Sequence, residues 1–256
     1  MGDPASNPDA LPQRRVALPQ PFWIGRYEVT NAQFALFDAT HDSRLETGDF
    51  LQFSVQERGY PVNAPDQPVC RVSWDRAMAF CRWLSERTGE QFDLPSEEEW
   101  EYACRAGTAS PLWYGNTDTD FAPYANLADA CLRRVDTFGW GLPSGAIPPW
   151  RPAVETVNDG QRVSAPVGRF KPNPWGLYDL HGNVAEWTRS IYGATQTSPE
   201  AGSAAVPADA RLVVRGGSWY DRPREARSAS RQGCRRYLGR YDVGFRVVCR
   251  TPAGRR

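Results

Sequence analysis

Arg211-Leu212-Val213-Val214-Arg215-Gly216-Gly217-Ser218-Trp219 opens the stretch that decides how this chain folds, and Val243-Gly244-Phe245-Arg246-Val247-Val248-Cys249-Arg250 closes it. Both ends are rich in valine and read as strands. The Gly216-Gly217 pair marks a place where the backbone bends or another segment runs close. Between the two ends no helical or strand period is visible. From Arg215 to Arg250 ten arginines stand against three acids, Asp221, Glu225 and Asp242, so the segment carries roughly +7. An irregular, basic, tyrosine-rich segment between two strands predicts a binding surface displayed on a rigid frame.

Outward from this frame, three helices are announced by their starts. Thr30-Asn31-Ala32-Gln33 is a capping box leading into Phe34, Phe37 and Ala39. Ser73 caps a second helix, in which Trp74, Ala77, Cys81 and Leu84 keep helical spacing until Gly89. Ser96-Glu97-Glu98-Glu99 is another capping box, leading into Trp100, Ala103 and Cys104 and stopping at Gly107. The glutamates of that first turn complement the helix dipole, and no catalysis is assigned to them. From Gly107 to Arg211 periodicity is lost, apart from short strand-like pieces such as Ala165-Pro166-Val167-Gly168-Arg169-Phe170. So long an irregular stretch needs something besides secondary structure to hold it, and metal ions are the obvious candidate. Residues 193–209 read as a flexible insertion.

With 256 residues, 41% hydrophobic and 23% charged, the composition is that of a globular protein. The formal net charge is zero, so the basic C-terminal segment implies an acidic remainder. That polarity disfavours nucleic acid as a partner. No run reaches the roughly 18 apolar residues of a membrane span. The six cysteines fit no zinc spacing, and His41 and His181 are the only histidines, with no serine and acid placed to make a triad. His41 is expected at the surface, and His181 is expected to pack or hydrogen-bond.

Asp179-Leu180-His181-Gly182-Asn183-Val184-Ala185-Glu186 places two carboxylates around a tight glycine turn. Carboxylates plus inward-pointing carbonyls are hard oxygen donors suited to Ca²⁺. The alternative is that Asp179 caps a turn and Glu186 pairs with an arginine.

Phe22-Trp23-Ile24-Gly25-Arg26-Tyr27-Glu28-Val29-Thr30-Asn31, Val72-Ser73-Trp74, Leu94-Pro95-Ser96-Glu97-Glu98-Glu99-Trp100-Glu101-Tyr102-Ala103, Gly176-Leu177-Tyr178-Asp179, Gly182-Asn183-Val184-Ala185-Glu186-Trp187, Arg215-Gly216-Gly217-Ser218 and Gly244-Phe245-Arg246 occur in collinear order. In that order they resemble the formylglycine-generating enzyme (sulfatase-modifying factor) family. The resemblance implies an α+β, loop-rich, C-type-lectin-like fold with few helices and short antiparallel strands. It also implies one domain over residues 1–250, with 251–256 as a tail. Met1-Gly2-Asp3 resembles the interior of the family's first motif, which is normally preceded by a strand, so the compartment stays open.

Enzymes of that family oxidise a sulfatase cysteine with oxygen and a copper(I) ion held by two cysteines shortly after the Gly-Gly-Ser. Counted from Gly216, those positions fall on Asp221 and Ala226. Copper(I) is soft and wants thiolate, which neither a carboxylate nor a methyl group replaces. Copper is therefore not expected, and the sequence leans away from an enzyme. The alternative is an oxidoreductase of this type that acts on a peptide substrate through Cys234 or another metal site. Two histidines also rule out the three-histidine iron site of the sulfoxide-synthase relatives.

The family's structural calcium ligands map onto Asp179, the Gly182 and Val184 carbonyls and Glu186, and in a second site onto Asn126, the Leu127 carbonyl, Asp159 and the Gln161 carbonyl. Secreted relatives pair cysteines close to Cys81 and Cys249; in this chain a bridge and two buried thiols are both open readings. Trp219, Tyr220, Asp221, Arg222, Arg224, Arg227, Arg231, Tyr237, Arg240 and Tyr241 combine aromatic area with fork-shaped donors and are the expected binding residues. Their partner would be a protein or other ligand at residues 219–242; a sugar is disfavoured because the calcium residues are expected to be internal. The same segment is also similar to the variable region of retroelement-diversified proteins built on this fold, and Gly233 to Asp242 are all residues such mutagenesis can produce.

Overall fold

Trp187 pairs with Val214 at the centre of a four-stranded sheet, in a computed structural model that describes residues 1–3, 10, 12–46, 60–133, 153–193 and 206–250. Most of the expected insertion (194–205) and the tail (251–256) lie outside these residues. The sheet has the order β7-β6-β5-β8. Its strands are β5 (Ala185–Ile191), β6 (Arg211–Arg215), β7 (Gln232–Arg235) and β8 (Val243–Gly244). β6 runs antiparallel to β5 and β7, and β8 runs parallel to β5.

β5 corrects the expectation of irregular chain between Gly107 and Arg211. Ala185 to Thr188 are all buried, because a central strand packed on both faces has no polar side to alternate with. Ala165–Phe170, in contrast, forms no strand. β7 was also invisible: Gln-Gly-Cys-Arg has no apolar alternation and is held by its ladder to Arg211–Val214.

The closing stretch is two strands rather than one. β8 ends at Gly244, and β9 (Val248–Arg250) joins β1 (Trp23–Ile24) and β4 (Gln91–Asp93) in a separate sheet of order β1-β9-β4. Between them the chain is tied to the N-terminal segment, with Val29 N donating to Phe245 O at 2.8 Å and Gly25 N to Val247 O at 2.9 Å. A third, two-stranded sheet pairs β2 (Leu45–Glu46) with β3 (Tyr60–Pro61).

The caps read from sequence are present. α1 (Asn31–Ala35) starts at the Thr30–Gln33 capping box, but lasts little more than one turn. α2 (Trp74–Thr88) runs from Ser73 to a left-handed Gly89. α3 (Glu97–Arg105) starts at the Ser96–Glu99 capping box and ends at a left-handed Ala106, one residue before Gly107. α1 and α2 pack Phe34 and Phe80 against Phe245, with ring centroids 5.5 to 6.1 Å apart. Burying each such ring contributes about 1.5–3 kcal/mol. The two fully embedded indoles of this core keep their N–H groups bonded, Trp74 to Thr188 O and Trp187 to Val72 O, both at 2.9 Å, while the partly buried Trp83 packs on Phe37 and Phe80.

All six cysteines, Cys81 and Cys249 included, are free thiols. His41 is half-buried rather than on the surface. Its ring packs on Phe34 and its Nε2 bonds Cys70 O at 3.0 Å.

Candidate functional site

An irregular segment has no ladder to satisfy its carbonyls, and here arginines supply the missing donors. Arg215 on β6 is fully buried; it donates to the Ser228, Ala229 and Ser230 carbonyls and to Glu101 of α3 at 2.5 Å. Arg231 forks onto Glu97 at 2.5 and 3.0 Å. Arg227 pairs with Asp3, and Arg236 with Asp75. Arg240 reaches Asp242, Arg246 reaches Glu186, Arg250 reaches Glu99, and Arg222 lies near Glu225. The glutamates of the α3 capping turn thus also anchor this segment.

This pairing corrects the expected display loop. Trp219, Arg227 and Arg231 are buried (1%, 5% and 7% exposed) and cannot meet a ligand. Asp221 and Arg240 are engaged internally. Tyr220 and Tyr241 are half-buried with their rings against Trp219. Arg222, Arg224 and Tyr237 remain exposed, joined by Arg235 and Leu238.

The two positions where copper ligands were sought are structural. Gly217 has a φ of +66°, and a Cβ there would press on Ala226 at 3.1 Å, so the bend read from Gly-Gly is also a close approach. Asp221 Oδ2 accepts from Ser218 N and Ser218 Oγ, both at 2.9 Å. Burial and the nearby Asp242 carboxylate push the Asp221 carboxyl up to about 6. Ala226 is fully buried, and its carbonyl accepts from His181 Nδ1 at 2.7 Å.

Trp113 N can only donate, and it meets His181 Nε2 at 3.1 Å, so Nδ1 carries the proton. Cys104 Sγ lies 3.5 Å from the same Nε2 and 3.6 Å from Ser228 Oγ. Burial lowers His181 to about 4 and pushes Cys104 up to about 12. Both are neutral, and the pair braces the loop. Cys234 is buried in the main core, its thiol raised by the same desolvation. No pair of thiolates converges here among the described residues.

Around Asp179 the acids outnumber the cations. Gly168 N donates to Asp179 Oδ2 at 2.7 Å, while Oδ1 is buried without a partner. Arg246 holds both oxygens of Glu186 at 2.7 Å, and Trp100 Nε1 adds a bond of 2.8 Å. Sequence reasoning missed Glu28, an acid inside the apolar Tyr27–Thr30 run. Its oxygens accept from Val184 N at 3.2 Å and Asn183 Nδ2 at 2.9 Å. Burial, then Asp179 and Glu186, raise its carboxyl well above the ordinary range, and burial pushes Asp179 up to about 6. The orphaned Asp179 Oδ1 and this surplus of carboxylates fit a bound cation. Glu186 is clamped by Arg246, the arrangement left open as the alternative above.

The second expected set also comes together. A Cβ on Gly182 (φ +80°) would strike Asn126 O at 2.1 Å, so Gly182 lets the two loops touch. Asn126 is 1% exposed, and its Oδ1 has no partner. Asp159 accepts from Leu127 N at 3.1 Å and Gln161 N at 2.7 Å. Asp129, also missed, is fully buried against Asp159. Burial and this neighbour push Asp159 up to about 8. These residues too fit a cation.

A family model for the sulfatase-modifying factor enzyme 1-like domain matches residues 1–251. The formylglycine-generating enzyme of Bos taurus is 29% identical over 259 residues, covering 85% of this chain and 62% of that protein. Inactive C-alpha-formylglycine-generating enzyme 2 of Bos taurus is 34% identical over 195 residues, covering 73% and 51%. The chain therefore spans about half to three-fifths of the length of these relatives. Among solved structures, PvdO from Pseudomonas aeruginosa superposes with a TM-score of 0.70 and 28% identity, covering 98% of this chain and 90% of that one.

Proposed function

The chain belongs to the sulfatase-modifying factor enzyme 1-like domain family, and from that premise we propose that it is a non-catalytic binding member, a protein-recognition domain on the family's frame. One observation carries this: the positions expected to hold copper carry Asp221 and Ala226, both built into the folded loop. The similarity to an inactive relative supports it. The partner would be a protein, met at Arg222, Arg224, Tyr237 and Leu238, with Tyr220 and Tyr241 at the rim. Nucleic acid is not proposed, because eight of the segment's ten arginines face carboxylates. No helix among the described residues is long and apolar enough to cross a membrane.

Structural cations, calcium in the first instance, would be held by Asp179, the Gly182 and Val184 carbonyls and Glu186, with Glu28 beside them. The second set is Asn126, Asp159 and the Leu127 and Gln161 carbonyls. If a retroelement diversifies the segment, variation is confined to Arg235, Tyr237 and Leu238. Cys234 is in the core, Arg236 and Asp242 are paired, and a Cβ on Gly239 would meet Arg71 O at 2.4 Å. An oxidoreductase using Cys234 has little support from a thiol buried in the core.

Two tests apply. Supplied with copper(I) and a sulfatase-type cysteine peptide, the protein should bind no stoichiometric copper and leave the peptide mass unchanged; the mass loss that marks formylglycine would overturn the non-catalytic reading. Replacing Arg222, Arg224 and Tyr237 together with alanine should change stability by less than about 0.5 kcal/mol per site. The same variant should lose the partner recovered by the parent protein, since hot-spot Tyr and Arg each contribute about 2 kcal/mol or more. Retained capture would place the binding surface elsewhere.

A further inference from the structure

Residues 14–24 keep a period of two well beyond the two residues of β1. Arg14, Val16, Leu18, Phe22 and Ile24 are half-buried, whereas Arg15, Ala17, Pro19, Pro21 and Trp23 are exposed. Among the described residues, none gives a hydrogen bond to residues 15–22 or takes one from them. A segment with alternating side chains and unpaired backbone N–H and C=O groups is a template on which another chain can pair.

The same segment walls two pockets, since Val16, Leu18 and Gln20 line both. The first, of about 580 Å³, holds Phe22 and Ile24 beside the exposed rings of Tyr102 and Trp175, whose centroids lie 4.8 Å apart. No charged side chain lines it among the described residues. The second, of about 920 Å³, is lined by four arginines and three acids. Two of those arginines are claimed, Arg14 by Glu98 at 3.0 Å and Arg250 by Glu99 at 2.7 Å. Arg189 of β5 is not. Its guanidinium stands 3.6 Å from Glu99 and 3.9 Å from Asp93, beyond hydrogen-bond reach, and its buried Nε has no partner. Arg82 of α2 is exposed and enters no ion pair among the described residues. The contrast with Arg215, Arg231 and Arg246, each on a carboxylate at 2.5 to 2.7 Å, is plain. Two unclaimed guanidinium groups facing one pocket are complementary to a carboxylate.

We propose that residues 15–22 and their two pockets bind an extended acidic peptide segment of a partner protein. Its backbone pairs with the segment, a carboxylate meets Arg82 and Arg189, and an aromatic side chain enters beside Tyr102 and Trp175. A free carboxylate would use the second pocket alone, whereas a chain uses both pockets and the unpaired backbone. No lining residue comes from 219–242, so this surface is separate from the one at Arg222, Arg224 and Tyr237.

The test selects random peptides displayed on phage against the full chain. Recovered peptides should combine Asp or Glu with an aromatic residue. The strongest, synthesised with a fluorophore, should lose about 10- to 100-fold in affinity on Arg189→Gln and on Arg82→Gln. Trp175→Ala should weaken it as well, while the variant with alanine at Arg222, Arg224 and Tyr237 should bind it as the parent does. N-methylation of alternate peptide amides should weaken binding strongly in one phase and spare it in the other, because an extended chain directs successive amides to opposite sides. Arg82 is exposed, so Arg82→Gln keeps the test decisive should Arg189→Gln fail to fold. Recovery of no such peptide, or peptides that bind Arg82→Gln and Trp175→Ala as tightly as the parent, would overturn the proposal. Phenylpropionate binding as tightly as the peptide would also overturn it, since the site would then take a small carboxylate rather than a chain.

Discussion

Arg246→Met should lower the stability of this protein by about 3–5 kcal/mol, the loss expected when one partner of a buried pair is removed. Arg246 is fully buried and holds three segments at once: both oxygens of Glu186, the Gly25 and Arg26 carbonyls, and Tyr178 O at 2.8 Å. Without it, Glu28, Asp179 and Glu186 share a dry site with no guanidinium among them. The double variant Arg246→Met/Glu186→Gln should recover part of the loss, because it removes a charge along with its partner. Urea denaturation of the parent and both variants measures this. A single-variant loss below about 1 kcal/mol would show that water or an ion already satisfies Glu186. If a cation occupies this cluster, the single variant should also depend on it more than the parent does, seen as a larger drop in melting temperature on adding chelator.

Asp221→Asn should stabilise the protein at pH 7 and not at pH 4. The folded-state value of about 6 lies above the ordinary value near 4. A raised carboxyl favours the fold while protonated, so its contribution is complete below about pH 4 and is lost as pH rises through about 6. Two units correspond to roughly 3 kcal/mol as an upper bound, at about 1.4 kcal/mol per unit. Asparagine keeps an oxygen for Ser218 N and Oγ and offers an N–H toward Asp242. Stability curves of parent and variant should therefore diverge between pH 4 and pH 7 and run parallel above. A constant difference across that range would mean that the Asp221 carboxylate is already solvated and ionised in the fold.

The helix starts were legible because capping is local. Thr30, Ser73 and Ser96 each bond an amide three residues away, so the signal and the structure lie within one turn. Gly182 and Gly217 were legible for a related reason: a left-handed backbone or a forbidden Cβ leaves glycine as the residue that fits. β5 and β7 were not legible. A central strand with Glu, Thr, Arg and Ser along it shows no period, and four residues containing a glycine show little propensity; both exist because a ladder partner is present.

The arginine-rich segment divides along the same line. Its composition alone established a positive segment tied to a strand frame, and the motif order established the family. The absence of cysteine at positions 221 and 226 also stood in the chain itself. Whether the positive charge faces solvent depended on acids far away in sequence: Glu97 for Arg231, Glu101 for Arg215, Asp3 for Arg227, Asp75 for Arg236. Folding brought those carboxylates to the segment and left Arg222, Arg224 and Tyr237 outside. The approach of Glu28 to Asp179, of Asp129 to Asp159 and of Cys104 to His181 was likewise decided only in three dimensions. Chain order carries local geometry and total charge, whereas the partner a buried charge finds is set by which distant segments the core packs together.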